Sequence, residues 1–337
     1  MRAVVTRDSG VMEVSDVPPP DAPGRGEVIV APEAVGLCGS DFHILSGELG
    51  HAFPLIQGHE IAAAITAVGP DCPDHLRPGE RVAVWPLSSC GTCYPCRIGR
   101  VNACARFSLI GVHTDGGLQE RFGVPAGQVF PIGDLDPVLA AFVEPMSIAV
   151  WAVERGRVAA DEQVVVLGAG PIGQAVALAV RERGATAMLV DRVPSRLERG
   201  RATGAETLSL DDGDAVAGAV EWARGEGPEV VIDATGEPAA LRSAVDMVVA
   251  AGRVVVVGIS DKEVALPMGA FIHKEIDVVG SSVCGAAEFA EAVEIVRRNR
   301  EAVGHLITQE FPLERTPEAI RFAMGNPADV IKVVIRP

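Results

Sequence analysis

From position 1 to about position 144, apolar residues fall in short extended runs separated by Gly and Pro. The runs at 1–6 (with Ala3, Val4 and Val5), 27–31, 60–68 and 81–85 predict strands, and their density predicts an all-β, barrel-like domain. Near Asp161 the pattern changes. Residues 163–167, 187–191, 229–233 and 253–258 read as buried strands, and about 171–183, 194–202 and 238–249 read as amphipathic helices. Such alternation predicts a parallel, doubly wound α/β sheet. Beyond Lys274 come a strand at 276–280, a helix at 286–300 and a last strand near 330–335. These fit best if the chain returns to complete its first domain. The expected division is therefore a discontinuous β domain, 1–144 with 275–337, and an α/β domain, 145–274.

A length of 337 residues supports two cores of ordinary size. Forty-five acidic against 29 basic side chains give a net charge of -16, with no basic stripe to meet a phosphate backbone, so nucleic acid is not an expected partner. No run of eighteen uninterrupted apolar residues predicts a membrane span. The first residues lack the apolar core and cleavage site of a signal peptide, so a cytoplasmic location is expected. The acidic residues Asp211, Asp212 and Asp214 read as a solvated loop.

Four of the seven cysteines lie within fifteen residues: Cys90, Cys93, Cys96 and Cys104, with gaps of two, two and seven. That spacing can wrap four thiolates around one tetrahedral ion and predicts a closed structural zinc site. In a reducing compartment the cluster favours metal over disulfides, while Cys72 and Cys284 read as isolated buried or surface thiols. A closed site leaves no open coordination position, so any catalysis must happen elsewhere.

One such place follows the strand at 163–167. There Gly168-Ala-Gly170-Pro171-Ile172-Gly173 forms a glycine-rich turn opening a helix, the arrangement that seats a dinucleotide pyrophosphate on unpaired backbone amides. Pro171 suits the first helical turn, where its missing N–H removes no intrahelical bond. Asp191, eighteen residues beyond Gly173 at a strand end, can accept from both ribose hydroxyls and so favours NAD over NADP. Arg192 and Arg196 are either ordinary charge at a helix start or guanidinium groups that would offset the repulsion of a 2'-phosphate.

A second constellation lies upstream: Gly36-Leu-Cys38-Gly-Ser40-Asp41-Phe-His43, Gly58-His59-Glu60 and Phe142-Val-Glu144-Pro. A thiolate, an imidazole and carboxylates brought together make a zinc site with room for water or substrate. Singly each has a plainer reading: His59-Glu60 as a core or surface pair, His43 as a solvated loop histidine.

Taken with the cysteine lobe and the glycine turn, these motifs resemble the zinc-containing medium-chain dehydrogenase/reductase family, within it the polyol, sugar-acid and threonine dehydrogenase branch. The resemblance covers nearly the whole chain. It implies a GroES-like β-barrel catalytic domain, a Rossmann NAD-binding domain and an active cleft between them. It also implies two zinc ions per chain: a structural one in the cysteine lobe, and a catalytic one held by Cys38 and His59, with Glu60 and Glu144 ligating directly or through water. Ser40 matches the hydroxyl that bonds the substrate oxygen, His43 the relay to solvent, and Asp41 the acid that fixes the His59 tautomer. The implied reaction is hydride transfer between a secondary alcohol and NAD, giving a ketone. The implied assembly is a homo-oligomer, dimer or tetramer, joined at the nucleotide-sheet edge beyond Arg253. A non-catalytic NAD(H)-binding protein on the same scaffold is the competing reading, and a zinc-free quinone or enoyl reductase is disfavoured by Cys38, His59 and the lobe. His113 would either touch a substrate hydroxyl or lie in a turn.

Overall fold

The long strand Glu27–Gly36 organises the β part of the molecule. The computed structural model describes residues 1–48 and 52–337. Its contacts divide the chain into two units, Met1–Glu144 with Cys284–Pro337, and Pro145–Val283. In the first unit, strands Val129–Pro131, Arg81–Val84, Glu60–Val68, Glu27–Gly36, Lys332–Arg336 and Ile307–Pro312 lie side by side in that order. Pro32 sits inside the central strand, where it gives up a ladder donor. It is tolerated because the register with Glu60–Val68 slips between Pro32 and Ala34, and again between Ile29 and Val30. Val28, Val30, Val35, Ile61, Ile65, Val82, Val84 and Phe122 bury the inner face.

The returning C-terminal strand Lys332–Arg336 pairs antiparallel with Glu27–Gly36, Val334 opposite Gly36 and Ile335 opposite Val35. Leu37 N–H then donates to Val333 O at 2.9 Å. Strand pairing thus brings the end of the chain against the segment that leads into Cys38.

The helix expected over 286–300 is two helices, Ala286–Arg298 and Arg300–Leu306. Asn299 separates them, its side-chain amide donating to Ile295 O at 2.9 Å and drawing the backbone out of helical geometry. Several helices were not legible in the pattern, among them Gly39–Ser46 and Val143–Arg155. The stretch Pro137–Arg155 is long and apolar enough to cross a membrane by length and composition, yet 78% of it is buried inside the fold.

The second unit is a six-stranded parallel sheet in the order Glu206–Ser209, Thr186–Asp191, Gln163–Leu167, Val230–Asp233, Arg253–Val256, Asp277–Gly280. In chain order this is 3-2-1-4-5-6, the doubly wound arrangement whose ligand crevice lies where the order reverses, beside Gln163–Leu167. Val164, Val165 and Val166 are fully buried, as a strand covered on both faces requires. The last strand, Asp277–Gly280, pairs in parallel with Arg253–Val256, so contacts carry this unit to Val283 rather than to the expected 274.

Strand Glu206–Ser209 and helix Ala215–Trp222 escape the apolar pattern because both are short and half-exposed. The acidic cluster between them has a structural task. Asp214 caps the helix, accepting from Val216 N at 2.9 Å and Ala217 N at 3.2 Å. Lys274 similarly closes helix Pro238–Met247, donating to the carbonyls of Val245, Asp246 and Val248.

Candidate active site

In the cysteine lobe the four sulfurs of Cys90, Cys93, Cys96 and Cys104 lie within 4.8 Å of one another. Backbone amides point at them: Cys90 N and Arg106 N each donate to Cys104 Sγ at 3.3 Å. Backbone donation from Thr92 and the Arg106 guanidinium hold the Cys90 thiol down to about 4, whereas burial pushes Cys96 up to about 11. Four sulfurs this close, with backbone amides and a guanidinium directed at them, fit a tetrahedral zinc ion.

At the glycine turn, helix Pro171–Glu182 begins after Gly170, which has no side chain to cap it, so its first amides are free for an anion. A side chain at Gly173 would meet Gly168 O at 1.8 Å, and only glycine allows this close packing of helix on strand. Asp191 is nearly buried and fastens the turn: Oδ2 accepts from Ala169 N at 2.7 Å, and Oδ1 from Val193 N at 2.9 Å. Arg196 Nη1 stands 3.9 Å from Asp191 Oδ2, while Arg192 is exposed. Of the two arginines, the structure brings Arg196 to the turn and leaves Arg192 at the surface. Pro171 and Ile172 form the first helical turn, as the motif requires. The turn fits a dinucleotide.

The Cys38–His59 region gathers from three elements. Cys38 is the cap of helix Gly39–Ser46, His59 lies just before strand Glu60–Val68, and Glu144 stands in the first turn of Val143–Arg155. Ligand atoms of Cys38, His59 and Glu60 lie within 4.8 Å of one another. His59 is 5% exposed, and its Nδ1 finds no hydrogen-bond partner among the described residues. Its Nε2 stands 3.3 Å from Ser40 Oγ. Burial opposes charge on His59, but the Asp41 carboxylate and the Cys38 thiol outweigh it and hold the imidazole well above its usual range. Burial pushes Glu144 up to about 7 and also raises Asp41. Carboxylates and a thiol crowded out of water, with one imidazole among them, form a donor set suited to a divalent cation.

Asp41 is fully buried; Oδ2 accepts from Cys38 N at 2.9 Å, and Oδ1 stands 3.9 Å from His59 Nδ1. His43 lies on the exposed side of the same helix, with Nδ1 2.5 Å from Glu48 Oε2. His113 is a turn histidine, accepting from Leu109 N at 3.1 Å and packing edge-on against Phe107.

Two site residues were missed by sequence reasoning. Lys332, 2% exposed, donates to Glu60 Oε1 at 2.6 Å, Glu60 Oε2 at 2.7 Å and Leu37 O at 3.0 Å. A side chain at Gly36 would stand 2.0 Å from Glu60 Oε2, so that glycine is what admits the carboxylate. The available signal was a lone lysine inside the apolar run Val330-Ile-Lys332-Val-Val-Ile. Gln57, fully buried, carried no signal of its own.

A parallel 3-2-1-4-5-6 sheet with a glycine turn, joined in one chain to a sulfur, nitrogen and oxygen donor cluster, defines a nucleotide-linked oxidoreductase. Comparison with known proteins makes this particular. Residues 24–134 match the alcohol dehydrogenase GroES-like domain, and residues 171–298 match the zinc-binding dehydrogenase domain. The chain is 35% identical over 318 residues to the L-galactonate-5-dehydrogenase of Escherichia coli K12, covering 93% of this chain and 92% of that one. Among solved structures, a zinc-binding dehydrogenase from Sinorhizobium meliloti 1021 bound to NADP superimposes with a TM-score of 0.92 at 31% identity, covering 100% and 99% of the two chains. The alcohol dehydrogenase RspB of Escherichia coli CFT073, complexed with NADH, gives 0.91 at 30% identity, with the same coverage. The chain belongs to the zinc-binding dehydrogenases of the alcohol dehydrogenase family. It is an enzyme of that kind, and the non-catalytic reading is not favoured.

Proposed function

We propose that the protein oxidises a secondary alcohol of the polyol or sugar-acid type to its ketone with NAD, and runs the reverse reduction. The observation that carries this reading is the convergence of Cys38, His59 and Glu60 within 4.8 Å, in a chain that also has the dinucleotide turn. Cys38 and His59 are the proposed zinc ligands, with Glu60 and Glu144 as carboxylate donors; Cys90, Cys93, Cys96 and Cys104 hold the structural ion. When bound, zinc supplies Lewis-acid polarisation of the substrate oxygen and the nicotinamide supplies the hydride acceptor.

The protein groups handle the proton. Ser40 Oγ would take the hydroxyl proton while releasing its own toward His43, so that with the cofactor bound, alcohol and NAD+ would become ketone, NADH and one proton. His43, three residues on and exposed, passes that proton to solvent. Asp41 beside His59 Nδ1 keeps the ring aimed at the metal. Gly168, Gly170, Pro171, Ile172 and Gly173 seat the pyrophosphate, and Asp191 receives the ribose.

The test is zinc analysis with an assay at 340 nm across polyols, aldonates and threonine-like alcohols. Two zinc ions per chain and NADH formation are expected, and no product from any of them would overturn the reading. In the same assay Ser40→Ala keeps both ions and loses about 100-fold to 10,000-fold in kcat; an unchanged kcat removes Ser40 from the proton path.

Asp191→Ala is expected to move preference from NAD toward NADP, because Arg196 remains beside the turn while the like charge disappears. The ratio of kcat/KM for the two cofactors measures it, and an unaltered ratio means that the ribose contact is misplaced. Assembly as a homo-oligomer is supported by Ile259, Met268 and Ile272, exposed apolar side chains in the segment between strands Arg253–Val256 and Asp277–Gly280. None of the seven cysteines, all among the described residues, is joined in a disulfide, which supports a reducing compartment such as the cytoplasm.

A further inference from the structure

We propose that Gln57 is a positioning residue for the metal-facing imidazole of His59, acting through Asp41 and locked in place by Thr6. The inference rests on the reading that Cys38 and His59 hold a metal ion.

Thr6, Gln57 and Asp41 are each 0% exposed, so each polar atom among them must find its partner inside the protein. The Asp41 backbone carbonyl only accepts, so the amide nitrogen of Gln57 must face it. It donates to Asp41 O at 2.9 Å and to Asp41 Oδ1 at 3.3 Å. Gln57 Oε1 then faces Thr6, whose hydroxyl donates to it at 2.6 Å. The flipped amide would set oxygen against oxygen at Asp41, so one orientation satisfies the whole line.

Asp41 is held from both sides as a result. Cys38 N–H fixes Oδ2 and the Gln57 amide fixes Oδ1, which leaves Oδ1 as the atom nearest the unpartnered His59 Nδ1, at 3.9 Å. With Nδ1 turned to Asp41, Nε2 points toward Ser40 and the Cys38–Glu60 cluster. A residue that merely filled space here would more economically be leucine, since burying an amide costs free energy unless every bond is made. A line of three polar side chains running from the first strand to the ligand imidazole is therefore a device for holding the ring.

The experiment keeps zinc in the cysteine lobe, loads cobalt at the Cys38–His59 site, and follows the visible cobalt band and cobalt release to a chelator. In Gln57→Leu, release is expected to be about 10-fold to 100-fold faster, the band displaced and kcat lowered, and the thermal midpoint of the chelated protein also falls because Thr6 and Asp41 lose a buried partner. Thr6→Val is expected to shift release in the same direction by a smaller factor, and Thr6→Ser, which restores the hydroxyl, to return it to the wild-type rate. Wild-type release and spectrum in Gln57→Leu overturn the proposal. Should that variant fail to fold, equal release from Thr6→Val and Thr6→Ser overturns it instead. Wild-type protein that takes up no ion beyond the lobe refutes the functional reading, and the inference with it; uptake that ignores Gln57 refutes the inference alone.

Discussion

Cys38→Ala is expected to bind one zinc ion where the parent chain binds two, and to lose turnover by a factor on the order of 1,000 or more. The factor follows from what the ion supplies. Polarising the substrate oxygen is worth several kcal/mol in the transition state, and each ~1.4 kcal/mol is tenfold in rate. Among the described residues Cys38 supplies the only sulfur of its cluster, whereas the four sulfurs of the lobe are independent of it, so the second ion stays. NADH affinity should be unaltered, because the turn from Gly168 to Gly173 is built by strand Gln163–Leu167 and helix Pro171–Glu182 of the other unit. Zinc content, nucleotide fluorescence titration and kcat check the three parts separately. Retained turnover with one zinc ion, or lost nucleotide binding with retained turnover, would refute the assignment.

The second large effect is expected at Lys332. Its ammonium has three donors, and all three are used, two on Glu60 and one on Leu37 O. Burial lowers its pKa, but the Glu60 carboxylate overrides that and keeps it charged, with its pKa above the usual lysine value. Lys332→Met keeps most of the volume and strands a carboxylate that is 1% exposed. Breaking a buried pair from one side costs about 3–5 kcal/mol, roughly a 10 °C fall in Tm for a unit of this size. Lys332→Met with Glu60→Gln removes both charges and should recover much of that loss. Urea unfolding of chelated protein measures both variants. A single variant within about 1 kcal/mol of the parent would show that the pair is solvated in solution.

The contrast between these two residues shows how far one sequence can be read. Cys38 and His59, 21 residues apart and on different elements, were visible only through the motifs around them, whereas the four lobe cysteines were visible because their spacing is local. Ligands a few residues apart on one turn must face one ion whatever the rest of the chain does. The glycine turn was visible for the same reason, since strand, turn, helix and Asp191 follow one another directly. The strands at 163–167 and 60–68 were found to the residue because an unbroken apolar run marks a buried strand. Helix Gly39–Ser46 was not, because it is eight residues long with only Asp41 and Ile44 buried, too few for a helical period to show.

By itself, then, the sequence determined the β and α/β halves, the lobe, the nucleotide turn and the Cys38–His59 pair. Tertiary structure alone decided what surrounds that pair. Lys332 reaches Glu60 across 272 residues only because the last strand inserts beside Glu27–Gly36, and Thr6 meets Gln57 across 51. Pairing over such distances is set by strand register and by the need of every buried polar atom for a partner. Neither leaves a periodic mark on the chain.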